Sequence, residues 1–85
     1  MSDSWPTQLA PELVGYLEDL HPPVQEMVRD VLAIASRSPW SWPQWDRTES
    51  EGENVRRASI GSLTVVYWVN RSRGHLRVID MVWAG

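Results

Sequence analysis

The chain of 85 residues has no cysteine and no lysine. Without cysteine there is no disulfide framework, no thiolate zinc site and no thiol nucleophile. Without lysine, Schiff-base and lysine general-base chemistry are excluded, and all eight cations are arginine. Long apolar runs are missing too. The longest, Val31–Ala35 and Val65–Val69, are five residues each, against the ~20 that a membrane span needs. No basic segment precedes an apolar one at the start of the chain, so no secretory signal is expected. Residues 1–85 are expected to form one cytoplasmic domain without membrane contact. Its core is thin, since a chain this short buries roughly 60–65% of its unfolded surface.

What is present is unevenly spread. Residues 1–54 hold ten acids and three arginines, a net charge of −7, whereas residues 55–85 hold five arginines and the single acid Asp80, a net of +4. The carboxyl third is thus a basic module on an acidic support, a distribution that suits a polyanionic target.

Apolar spacing organises the chain. Residues 1–8 show no period and read as a lead-in. From Leu9, apolar residues at Leu13, Tyr16, Leu17 and Leu20 recur every three or four positions and mark one face of a helix, with Pro11 in its first turn. A second helix opens at Pro22-Pro23 with His21 as its cap, and buries Val24, Met27, Val28, Val31, Leu32, Ile34 and Ala35. Residues 9–38 are therefore a helical hairpin, and residues 39–54, rich in Trp, Pro and acids, a loop. Beyond it the period changes to two. Val55–Ile60, Leu63–Val69 and Leu76–Trp83 read as strands joined at Gly61 and at the turn Asn70–Gly74. The expected class is α+β: an αα-hairpin packed on one face of a three- to four-stranded antiparallel sheet over residues 55–85. Leu17, Val28, Val31, Leu63, Val65, Tyr67 and Val78 are the expected shared core.

This order of elements, with R-R-x-x-I-G-x-L-x-V-V-Y-W-V from Arg56 and a hairpin into V-I-x-x-V, resembles the RelE/ParE superfamily of bacterial toxins. The matching segments are Leu17–Pro39 and Val55–Val82. The resemblance implies a toxin of a toxin–antitoxin pair, neutralised by a cognate antitoxin and acting on the ribosome and its mRNA. The alternative within the fold is a non-enzymatic binder, such as a DNA gyrase inhibitor or a protein interaction module. A dimer or a heterocomplex is the expected state. Against the family pattern Arg57 keeps the first cation and Tyr67 the core tyrosine. Ser59 and Thr64 stand where further cations occur, and the chain stops before the family's terminal tail. Any ribonuclease activity is therefore expected to be weak and to depend on Arg57.

The candidate residues follow. Arg57 can hold a phosphate by its bidentate fork, and His75, the one imidazole in the basic third, is the second catalytic candidate. Five residues separate it from Asp80, which in a regular strand sends the two side chains to opposite faces. Arg71, Arg73 and Arg77 are candidate nucleic-acid contacts beside Arg57, and Trp68 can stack a base. Arg56 points away from Arg57 and is expected over the helix ends. Trp40, Trp42 and Trp45 either cap the edge of the core or form a docking strip for a partner protein. No positions have metal-ligand spacing, so no metal and no cofactor are expected.

Overall fold

Proline opens both helices. Pro11 starts α1 (Pro11–Glu18) and Pro22 starts α2 (Pro22–Arg37), each in a first turn where the missing N–H has no intrahelical partner to lose. The structure, a computed structural model, describes residues 4–43 and 54–85. Around the helices run β1 (Thr7–Leu9), β2 (Val55–Ile60), β3 (Leu63–Asn70) and β4 (His75–Trp83), in the sheet order β1-β4-β3-β2.

The α+β class holds, with one correction: the sheet is mixed. β2, β3 and β4 are antiparallel, but β1 pairs parallel to β4, with Thr7 opposite Leu76 and Leu9 opposite Val78. Part of the expected lead-in is therefore a strand, and Leu9 ends it instead of opening a helix. A three-residue strand is too short to show a period of two. Its partner makes it, through the unpaired edge that β4 presents. The Trp5 N–H donates to the Ser36 carbonyl and the Ser36 hydroxyl to the Trp5 carbonyl, both at 2.8 Å, anchoring the approach to β1 on the end of α2.

α2 lies over β3 and α1 over β4. Val28, Val31, Leu63, Val65, Tyr67 and Val78 are fully buried together, and Leu17 packs on them half-buried. Two residues of the expected helix faces lie elsewhere. Ile34 is exposed. Tyr16 is exposed as well, and its hydroxyl accepts the Trp83 N–H at 2.8 Å. His21 occupies the cap position of α2, but its imidazole makes no capping bond; its carbonyl accepts the N–H groups of Val24 and Gln25.

What finishes α1 is the side chain of Gln25. Its Nε2 reaches the carbonyls of Leu17, Glu18 and Leu20 at 3.1, 3.2 and 2.9 Å. The Leu17 carbonyl also accepts the Leu20 N–H at 3.1 Å, and Gln25 adds a donor from the next helix to a helix end whose last carbonyls have no intrahelical partner.

Candidate functional site

With the helices on one face, the alternation of β3 leaves Thr64, Val66, Trp68 and Asn70 on the other. Cross-strand register sorts the neighbours of these four into rows. Ser59, Thr64 and Val82 form one row; Arg57, Val66 and Asp80 the next; then Val55, Trp68, Arg77 and Gln8; and last Asn70 with His75. The open face thus gathers Arg57, Trp68, Arg77 and His75 from the candidates. Val66 is only 5% exposed although it faces away from the helices. It sits on an inner strand with a cross-strand neighbour in register on each side, Arg57 and Asp80.

One local irregularity decides who belongs to this face. Tyr67 pairs with Val78 but Val66 pairs with Asp80, so Ile79 is an extra residue, a β-bulge in β4. The bulge reverses the alternation, and His75 and Asp80 share the open face instead of lying on opposite ones. They are still no acid–base pair. Their β3 partners Asn70 and Val66 are four residues apart, about 13 Å along a strand.

The same arithmetic separates the two catalytic candidates. Arg57 and His75 lie two strands apart and four residues along the sheet, a Cα separation of about 16 Å. Asp80 lies much nearer to Arg57, in its own row across Val66, at about 10 Å for two strand spacings. Sequence reasoning passed over Asp80 as a partner for this face because a bulge leaves no mark in composition or period. Gln8 was passed over because its strand is so short.

The hairpin tip behaves differently. The Asn70 carboxamide oxygen accepts from the Ser72 hydroxyl at 2.9 Å and from the Arg73 N–H at 3.2 Å, and Gly74 closes the turn at φ +69°, a conformation that favours glycine. Arg73 is exposed there. Arg71 turns back: its Nε donates to Asn54 Oδ1 at 2.9 Å and its guanidinium lies 4.5 Å from the Trp40 ring centre.

Trp40 also meets the Arg56 guanidinium, 5.1 Å from its ring centre, and the edge of Trp5 at 6.4 Å. Arg56 donates from Nη1 to the Trp42 carbonyl at 3.1 Å, so it covers the segment that follows α2. Trp40 remains 39% exposed. Trp42 packs half-buried on the core, its indole N–H buried without a hydrogen-bond partner. Trp45 lies outside the described residues. Under this segment the Tyr67 hydroxyl donates to the Pro39 carbonyl. Burial pushes that phenol up to about 12, against the opposing pull of the Arg56 charge.

Among the described residues no three acidic or imidazole side chains gather as metal ligands would, and no helix is long and apolar enough to cross a membrane.

No family sequence model and no curated protein matches the chain. Solved structures do. The isolated RelE toxin of E. coli superposes with a TM-score of 0.81 at 15% identity, over 96% of this chain and 86% of RelE. A double arginine-to-alanine mutant of the same toxin in the free state gives 0.78 at 17% identity, over 95% and 84%. That mutant in complex with an antitoxin RelBc peptide gives 0.79 at 15%, over 96% and 85%. The chain has a RelE-like fold.

Proposed function

We propose that the chain is the toxin of a toxin–antitoxin pair, restrained by a protein antitoxin in the cytoplasm and acting on translation by cleaving mRNA at the ribosome. The observation that carries this reading is the likeness, over 96% of the chain, to RelE holding an antitoxin peptide. The chemistry of the open face supports it. Arg57 offers a phosphate two parallel donors. Trp68 offers a base its π-face, a contact worth about 1–3 kcal/mol where such platforms exist. Arg77, directly across from Trp68, adds a second cation along the path of a strand. Arginine does not give up its proton near neutrality, so it binds and stabilises charge while another group moves the proton.

A second reading draws on the neutral row of the same face. Ser59, Thr64 and Val82 supply contact surface but no charge for a transition state. That favours a binder without cleavage, such as a gyrase inhibitor or an interaction module.

Induced expression with translation, mRNA-cleavage and supercoiling assays run side by side separates the two. The expected result is arrested translation with cut mRNA, lost in Arg57→Ala, reduced less in His75→Ala, and reversed by co-expressing the product of the neighbouring reading frame. Relaxed DNA with intact mRNA selects the second reading. Undisturbed growth, with no neighbouring product bound, overturns both.

A further inference from the structure

Resting on the nuclease reading above, we propose that Asp80 is the proton acceptor of the open face, taking the proton of a ribose 2′-hydroxyl while Arg57 holds the adjoining phosphate. Three observations converge on it. First, the bulge at Ile79 turns Asp80 onto the face that holds Arg57 and Trp68, and bulges recur beside active sites because they re-aim a side chain in this way. Second, Oδ1 accepts the Met81 N–H at 2.9 Å. The carboxylate is tethered to the strand by one oxygen, which leaves Oδ2 for a substrate. Third, Asp80 and Arg57 flank the buried Val66 from opposite sides. A base and a cation then stand about 10 Å apart at their Cα atoms, on either side of one apolar side chain.

The step balances without any oxidant or metal. The 2′-hydroxyl proton passes to Asp80 Oδ2 and the freed electron pair forms the bond from the 2′-oxygen to phosphorus. The bond from phosphorus to the 5′-oxygen breaks, and that oxygen takes a proton from water. The products are a 2′,3′-cyclic phosphate and a 5′-hydroxyl end. Asp80 returns its proton to solvent. Arg57 balances the extra negative charge on the phosphorane.

The test is single-turnover cleavage of a defined mRNA on programmed ribosomes by the whole chain, comparing wild type with Asp80→Asn and Asp80→Glu. Asp80→Asn is expected to lower the rate about 100-fold or more, the lower end of general-base effects, with KM and melting temperature unchanged. Asp80→Glu should recover part of the rate, and an mRNA with a 2′-deoxy sugar at the cut position should bind and stay intact. Undiminished cleavage by Asp80→Asn, or a loss that appears only in KM, overturns the assignment and leaves the nuclease reading standing. A wild-type chain that cleaves nothing removes both.

Discussion

The Tyr67 hydroxyl donates a hydrogen bond to the Pro39 carbonyl at 2.6 Å, across 28 residues of chain. Tyr67 is fully buried in β3, and Pro39 is buried two residues past the end of α2. This one bond therefore ties the middle of the sheet to the start of the Trp-rich segment. Tyr67→Phe keeps the ring and leaves the carbonyl buried without its donor. The expected loss is about 1–3 kcal/mol, or several degrees of melting temperature in a domain of this size. Thermal unfolding by circular dichroism measures it, and an unchanged midpoint would show that the bond adds nothing.

Alkaline pH should act through the same group. An unfolded chain releases the phenolic proton near the ordinary value of 10.0, whereas the folded chain holds it to about 12. Between those values the unfolded state binds fewer protons, so stability falls as pH rises. The contribution is complete below pH 10.0 and gone above about 12, a total of about 2–3 kcal/mol. Urea midpoints taken on either side of pH ~10 should fall in the wild type and change less in Tyr67→Phe.

Val65 is fully buried on the helix-covered face of β3, in register with Ala58 and Met81. Val65→Asp places a carboxylate in a core that holds no buried charged residue among those described, at several kcal/mol against a total stability of about 5–15 kcal/mol. The variant should be unfolded by circular dichroism. A soluble Val65→Asp protein with wild-type melting contradicts the burial of Val65 in this core.

Gln25→Ala removes the donor that three carbonyls at the end of α1 share. The loss should be about 1 kcal/mol, and local. Amide exchange should quicken through α1 and the connection to α2 while protection in β3 and β4 falls only by the global change. Equal losses everywhere would mean that α1 does not open on its own.

Two arginines classed together by sequence should behave differently. Arg71 stacks on Trp40 and bonds Asn54, so Arg71→Ala should alter Trp fluorescence and lower the melting temperature. Arg77 stands beside Trp68 on the open face. Arg77→Ala should leave melting unchanged, weaken RNA binding, and reduce the salt dependence by about one charge. The reverse pattern would move the interface to the hairpin tip.

Periodicity alone determined a great deal of this protein: two helices, then three strands, and a core containing Val28, Val31, Leu63, Val65, Tyr67 and Val78. Such features are local. A side chain's face follows from spacings of 3.6 or 2 residues wherever the element lies. Other features belong to contacts between distant segments, and only the tertiary structure decided them. β1 is a strand because β4 has an edge to pair. Gln25 is a helix cap because α2 folds back on α1. Arg71 leaves the hairpin tip because Trp40 lies beside it. Asp80 reaches the open face because β4 carries one residue more than β3 can match, and a register between strands is a property of the pair that neither sequence segment contains.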